Sequence, residues 1–227
     1  MARTSTLTDF PPVICTVDVV LLTLCDDALQ VALWPRAQEP HAGVAALPGG
    51  YIHPQEDATA WHAAARVLQE KTGIVSPYLE QLATYSGAER DPRGWSVSIV
   101  YYALVPHELL PAGVVLAPVN RLPKLPFDHR SMVELAVQRV RSKSQYSSLP
   151  VYLCGEQFTL PRLQAVYEAV LGEPINKVSF RRKMDELAML EPVEGEWAGG
   201  AHRPAQLYRL KKPYARALSQ VARGINA

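Results

Sequence analysis

The chain has 227 residues, enough for one large domain or two modest ones with a buried core. Hydrophobic residues make up 48% and charged residues 20% of it, which is ordinary for a globular protein. No apolar run approaches the roughly 20 residues of a membrane helix, and residues 1–13 lack the pattern of a secretion signal. The three cysteines share no metal-ligand spacing. These features argue against a membrane span and a cysteine-bound metal, and they predict a cytoplasmic protein.

The formal net charge of +1 is unevenly distributed along the chain. Residues 1–150 carry 12 Lys/Arg and 14 Asp/Glu, a net charge of −2, whereas residues 151–227 carry 11 and 8, a net charge of +3. The C-terminal part is therefore the better candidate for contact with a polyanion.

The first two thirds of the chain alternate strand and helix patterns. Residues 1–11 are polar with a proline pair and predict a flexible arm. Runs rich in β-branched residues predict strands over residues 14–24, 29–34, 78–85 and 95–105, and helical spacing predicts helices before the third of these and over 128–143. This order predicts an α/β sandwich domain over residues 12–147, with a boundary in the small, polar stretch that follows the last helix.

A glycine-rich loop leading into a helix lies between residues 47 and 74. Gly49 and Gly50 allow a tight turn and close approach of a ligand to the backbone. The first helical turn is expected at Glu56-Asp57, where the helix dipole favours acidic side chains, and Gly73 is expected to end the helix. The inner face is predicted to carry Ala58, Trp61, Ala65 and Leu68.

This layout resembles the Nudix box, which is Gly, five residues, Glu, seven residues, then Arg-Glu-apolar-x-Glu-Glu-x-Gly-apolar. The matching residues are Gly50, Glu56, Arg66, Leu68, Glu70, Gly73 and Ile74. Nine residues separate Glu56 from Arg66, and Val67 and Lys71 stand where the family has glutamates. In the family those glutamates hold divalent ions that assist phosphoanhydride hydrolysis. The resemblance therefore implies a binding site with no catalytic residue and no bound metal.

An active hydrolase of ADP-ribose or a similar nucleoside diphosphate derivative is the alternative, with Glu56 and Glu70 sharing one ion.

Several cations accompany the loop. Arg36 either reaches a phosphate or is a solvated surface residue, and Arg90 and Arg93, held around a proline, serve either the nucleotide or a dimer contact. The expected ligand-binding residues are Arg36, Gly49, Gly50, Glu56, Arg66, Glu70, Arg90 and Arg93.

Residues 148–227 predict a second domain. Thr159 is a suitable N-cap, Gly172 ends the first helix, and a second helix begins near Lys177 with Phe180, Met184 and Leu187 on its inner face. Arg182 then points away from the core, and the strand, loop and strand that follow are typical of a winged helix-turn-helix. The expected DNA contacts are Lys177, Ser179, Arg181, Arg182, Lys183 and, at the tip of the wing, His202 and Arg203.

Together the two halves resemble the Nudix-related transcriptional regulators, through stretches such as residues 66–73, 78–82, 90–94, 180–183 and 203–205. The resemblance implies a homodimeric repressor on a palindromic DNA operator, commonly of NAD-synthesis or salvage genes. ADP-ribose or a related nucleotide would be the effector, with no cofactor required. Control of sugar catabolism is another function within the family, and a protein-interaction scaffold that never meets DNA is a further alternative.

Overall fold

The computed structural model describes residues 12–76, 78–199, 204–214 and 218, without the side chain of Glu196. The predicted arm, residues 1–11, lies outside this range. The helices within it are α1 (Ala60–Thr72), α2 (His129–Ser144), α3 (Leu160–Leu171) and α4 (Lys177–Leu187). The strands are β1 (Ile14–Cys25), β2 (Ala28–Pro35), β3 (Ala45–Ala46), β4 (Gly49–Tyr51), β5 (Leu79–Gly87), β6 (Ser96–Leu104), β7 (Val115–Pro118), β8 (Phe158–Thr159), β9 (Leu190–Ala198) and β10 (Ala205–Leu210). No helix in the described ranges is long and apolar enough to cross a membrane.

Strand β1 is the centre of the first sheet, whose order is β3-β2-β1-β6-β5, with β7 beside β2. It runs parallel to β6 and antiparallel to β2. The short strand β4 pairs with the beginning of β1, which places Gly49 opposite Asp18 and Gly50 opposite Val17. The glycine-rich loop is therefore held directly on the central strand.

The residues of β1 alternate between two cores because successive side chains of a strand point to opposite faces. Val17, Val19 and Leu21 pack with α1 on one face of the sheet. Val20 and Leu22 pack with α2 on the other face. A helix covers each face of a nearly uninterrupted apolar strand, so the predicted sandwich is confirmed.

Helix α1 begins later than its sequence suggested. Its N-cap is Thr59, whose side chain accepts a hydrogen bond from the backbone N–H of His62, so the predicted start at Glu56-Asp57 is wrong. The end at Gly73 is confirmed, with a left-handed φ of 73°. The buried face of α1 also differs from the expected one, since its buried residues are Ala63, Ala64, Val67, Leu68 and Thr72. The Trp61 side chain, predicted to lie in the core, is 46% exposed.

The second domain is a winged helix. Helices α3 and α4 form the helix-turn-helix, capped by the side chains of Thr159 and Asn176. Strands β9 and β10 pair antiparallel, and β8 pairs with the far side of β10. These two helices and the antiparallel strand pair confirm the predicted fold of this domain. The residues at the tip of the wing, 200–203, lie outside the described part of the chain.

The two domains share one hydrophobic core, which contains residues of α2, α3 and the 3-10 turn Leu149–Leu153. The Tyr167 hydroxyl on α3 donates to the Ser147 carbonyl at 2.9 Å, and Arg141 Nε on α2 donates to the Val170 carbonyl at 3.2 Å. The connection at the predicted boundary is buried, so α2 and α3 are packed against each other rather than joined by a solvated linker.

Candidate functional site

A cleft of about 320 Å³ opens beside the glycine-rich loop. We call it the glycine-loop cleft. Its walls come from the beginning of β1, the end of β2, β4, the last turn of α1, the loop before β6 and the beginning of α2. Its charged and aromatic lining residues include Asp18, Arg36, Glu39, Tyr51, Lys71, Arg90, Asp91, Arg93, Phe127 and His129.

Both glycines of the loop are required by close contacts. A Cβ on Gly49 would lie 2.1 Å from Asp18 Oδ1, and a Cβ on Gly50 would lie 3.0 Å from Val67 Cγ2. Any side chain at these positions would force β4 away from β1 or from α1. The bare backbone is thus what allows the loop to lie flat on the central strand.

The pairing of β4 with β1 determines which amides of the loop face a ligand. Val19 N–H donates to the Pro48 carbonyl at 2.9 Å, and Ile52 N–H donates to the Cys15 carbonyl at 3.2 Å. Backbone N–H groups of a strand point alternately towards and away from the strand it pairs with. Gly50 N–H therefore points towards β1, and Gly49 N–H points away from it. In the described part of the sheet β4 pairs with β1 alone. Of the two glycine amides, Gly49 N–H is therefore the one that pairing with β1 leaves for a ligand.

Asp18 is a buried carboxylate under this loop, 8% exposed. Ser98 Oγ donates to it at 2.5 Å, and His129 Nε2 lies 3.6 Å away. Burial by itself would raise the pKa of Asp18, but the contacts with His129 and Ser98 and the charge of Arg90 outweigh burial and lower it. Because Leu47 N–H donates to Nδ1 of the same histidine at 3.2 Å, the imidazole links the loop to the first residue of α2.

Two arginines of the predicted ligand set are held by the loop before β6. Arg90 is nearly buried, with Nε donating to Asp128 at 2.8 Å and Nη1 to Ser96 Oγ at 3.0 Å. Arg93 makes a two-point ion pair with Asp91, at 3.0 and 2.7 Å, and donates through Nη1 to the Tyr51 hydroxyl at 2.6 Å. The arginine contact lowers the pKa of Asp91. Arg93 is thus oriented at the cleft, whereas Arg90 fixes the start of α2.

Arg36 enters the cleft from the end of β2. Its Nε donates to the Pro40 carbonyl at 2.8 Å, and its guanidinium lies 4.9 Å from the centre of the Phe127 ring. A guanidinium stacked on an aromatic face loses side-chain freedom but keeps outward N–H groups for a ligand. Of the two alternatives for Arg36, its place in the cleft favours ligand contact.

Three residues of the predicted ligand set lie outside the cleft lining. Glu56 is exposed and contacts His53. Arg66 forms ion pairs with Asp57 at 2.7 Å and with Glu70 at 3.1 Å, so the three charged side chains are partners of one another. Hydrogen bonding from Arg66 lowers the pKa of Asp57 to about 2. Arg66 therefore supports the loop before α1, and Glu56, Arg66 and Glu70 stay predicted ligand contacts that do not line the cleft.

The side chains present do not suit a divalent cation. Val67, at the position of a family glutamate, is buried with its methyl groups over Gly50. Lys71 stands at the position of another family glutamate and lines the cleft with a cationic side chain. Hard cations require clustered oxygen ligands. In the described ranges, no group of three or more His, Cys, Asp and Glu side chains is placed to hold a metal ion.

Several cleft residues were missed in the sequence. Lys71 was detectable, because it lies one helical turn after Val67 on the same face of α1. Asp18 was detectable as the lone charge in an apolar strand. No local signal marked Phe127 and His129, because they reach the cleft from about 80 residues further along the chain, as the 82-residue separation of Leu47 and His129 shows.

The outward face of α4 carries most of the predicted DNA contacts. Lys177, Arg181 and Arg182 are exposed and Ser179 is half-buried. Lys183 is 3% exposed and lies 3.7 Å from Glu186, so its predicted place on the outward face is wrong. The reason is helical spacing, since Lys183 follows Phe180 by three residues and shares its inner stripe. His202 and Arg203 lie outside the described residues.

The cleft offers cations and a backbone amide to a polyanionic ligand, and the second domain offers a basic helix to DNA. Fold and surfaces together define a Nudix-type ligand-binding domain joined to a DNA-binding winged helix. A model of the NUDIX domain matches residues 16–135, and a model of the NrtR DNA-binding winged helix domain matches residues 150–210.

Known proteins show the same pairing of domains. The chain is 39% identical over 210 residues to the ADPR responsive transcriptional repressor NtrR of Acinetobacter baylyi, covering 88% of this chain and 83% of that protein. Shewanella oneidensis NrtR complexed with a 27mer DNA matches with a TM-score of 0.84 and 38% identity, covering 92% of this chain and 98% of that one. The NUDIX domain of the same protein complexed with ADP ribose matches with a TM-score of 0.55 and 35% identity, covering 61% and 99%. The chain belongs to the NrtR family of Nudix-related transcriptional regulators.

Proposed function

We propose that this protein is a DNA-binding repressor whose operator affinity is controlled by ADP-ribose, or a related NAD-derived nucleotide, bound without cleavage in the glycine-loop cleft. The observation that carries the proposal is that one helix, α2, connects this cleft to the winged helix. The similarity to an ADP-ribose-responsive repressor supports the choice of effector. Genes of NAD synthesis or salvage are the proposed targets.

The diphosphate of the effector is placed between Gly49 N–H and the guanidinium groups of Arg36 and Arg93. Charge-assisted hydrogen bonds of this kind are stronger than neutral ones, and a planar guanidinium suits phosphate oxygens. The exposed ring of Tyr51, held beside Arg93 by its hydroxyl, provides an aromatic face next to that site. Arg90 has a supporting role, because its side chain is only 8% exposed, against 36% for Arg93.

Operator DNA is placed on the outward face of α4, with Lys177, Ser179, Arg181 and Arg182 as contacts. Such a recognition helix enters the major groove with its N-terminal part, while basic side chains also reach phosphates. Val178 is 77% exposed in the same turn, a large exposure for an apolar side chain, and fits contact with a thymine methyl group. We retain His202 and Arg203 as proposed wing contacts.

Helix α2 provides the physical route between the sites. Its first residue, His129, bridges Asp18 and Leu47 at the cleft, and Asp128 just before it holds Arg90. Its last turns pack on α3, where Arg141 donates to Val170. A ligand that displaces the beginning of α2 therefore changes the position of the winged helix. In a homodimer on a palindrome this change alters the spacing of the two recognition helices, at a typical coupling of about 1–3 kcal/mol.

Fluorescence anisotropy with DNA from upstream of the protein's own gene tests this function. We expect salt-dependent, sequence-selective binding that ADP-ribose weakens. Incubation of the same sample with ADP-ribose and Mg²⁺ should release no AMP. If ADP-ribose, NAD and sugar phosphates all leave the operator affinity unchanged, the proposed control of DNA binding by an effector is excluded. Release of AMP would favour the hydrolase alternative.

A further inference from the structure

Lys71 lines the glycine-loop cleft, a position that neither DNA binding nor support of the fold requires. It lies in the last turn of α1, four residues after Val67, whose side chain covers Gly50. Residues four apart lie on the same helix face. Lys71 therefore extends from that face and lines the cleft together with Gly50 and Tyr51.

The acidic side chains near Lys71 have other partners. Glu70, its neighbour on α1, pairs with Arg66 at 3.1 Å. Across the cleft, Asp91 is held by Arg93, and Asp18 is buried against Ser98. Glu39, the remaining acid of the lining, lies 3.4 Å from the backbone N–H of Ala42. Within the described residues Lys71 makes no ion pair, so its charge is left for a ligand.

A lysine on an exposed helix end is usually a solvated cation that favours the helix dipole, and Lys71 is in the favourable last turn. Two observations go beyond that role. The side chain lines a cleft rather than a convex surface, and three further cations, Arg36, Arg90 and Arg93, line the same cleft. Arg90 and Arg93 are paired with Asp128 and Asp91, whereas Arg36 and Lys71 have no carboxylate partner among the described residues, so both would attract an anion bound in the cleft.

We propose that Lys71 supplies the positive charge that a divalent ion supplies in metal-dependent proteins of this fold. Its ammonium neutralises the ligand's diphosphate opposite Arg36 and Arg93, so this chain binds its nucleotide without metal. The replacement of one glutamate by Lys71 and another by Val67 thus does two things. It removes the ion that activates hydrolysis, and it preserves affinity for the intact diphosphate. This inference rests on the proposed function, since it requires a nucleotide in the cleft.

Titration calorimetry of the full chain with ADP-ribose, in EDTA and in millimolar Mg²⁺, tests the inference. We expect the wild-type affinity to be the same in both buffers. Loss of a charge-assisted hydrogen bond in Lys71→Gln should weaken binding about tenfold to hundredfold. Lys71→Arg should retain most of the affinity. Lys124→Gln, which removes an exposed charge that does not line the cleft, is the matched control and should bind as the wild type does.

The outcomes separate this inference from the proposed function. Wild-type binding that requires Mg²⁺, or Lys71→Gln binding equal to wild type, overturns the role of Lys71 and leaves the effector site in place. An equal loss in Lys124→Gln also overturns it, because the effect would then be one of net charge. Absence of any ADP-ribose binding by the wild type overturns both. Melting temperatures of the variants should match that of the wild type, since Lys71 is exposed.

Discussion

Replacement of Gly49 by alanine should destabilise the first domain through one identifiable contact. The added Cβ would lie 2.1 Å from Asp18 Oδ1 and 3.1 Å from the Val17 carbonyl. Normal contact between such atoms is about 3.5 Å, so the carboxylate must move by about 1 Å or more. That movement breaks the 2.5 Å hydrogen bond from Ser98 and the approach to His129.

The magnitude follows from what is lost. A hydrogen bond to a buried charge contributes about 1.5–3 kcal/mol, and overpacking of a closed site costs about 1–3 kcal/mol. We expect a combined loss of about 2.5–6 kcal/mol in the free energy of unfolding. For a chain of this size that lowers the melting temperature by about 5–20 °C. Calorimetry or circular dichroism measures both quantities.

A double-mutant cycle with Asp18→Ala isolates the cause. Asp18→Ala is itself destabilising because it leaves Ser98 and His129 without their carboxylate partner. It also removes the atom that the new methyl group would contact. Gly49→Ala should therefore cost much less in the Asp18→Ala background, with only the Val17 carbonyl still close. Equal costs in the two backgrounds would refute the steric argument. Gly50→Ala, whose nearest contact is a Val67 methyl group at 3.0 Å, is the milder comparison.

Two further predictions concern the DNA-binding helix and acid stability. Arg182→Ala should weaken operator binding by about 1–3 kcal/mol and leave ADP-ribose affinity unchanged, measured by anisotropy and calorimetry; intact operator affinity would contradict the placement of the recognition helix. The pKa of Asp57 is lowered to about 2 by Arg66, so its contribution to stability is present above its unfolded pKa of about 3.9 and is lost as pH falls through 2. Asp57→Asn should flatten the dependence of melting temperature on pH between these values, and an unchanged slope would show that another carboxylate dominates.

Strand and helix order were determined by the sequence alone. The strands predicted at residues 14–24 and 95–105 are β1 and β6 within one residue at each end. Thr159, Gly73 and Gly172 cap helices as expected. These features depend on local chemistry, namely side-chain alternation, a hydroxyl that accepts from an orphan N–H, and a residue that tolerates positive φ. The degraded Nudix box was also readable, because it depends on spacing within one segment.

Only the tertiary structure decided which charges share a site. Arg66 and Glu70 lie in the recognised motif yet neutralise each other, while Phe127 and His129 enter the cleft from a distant helix start. Lys183 is buried because the inner stripe of α4 passes through it. Ion pairing and burial depend on distances between segments far apart in the chain, and residue types carry no information about those distances. The family and the order of elements are therefore readable in the sequence, whereas the composition of the binding cleft is a property of the packed fold.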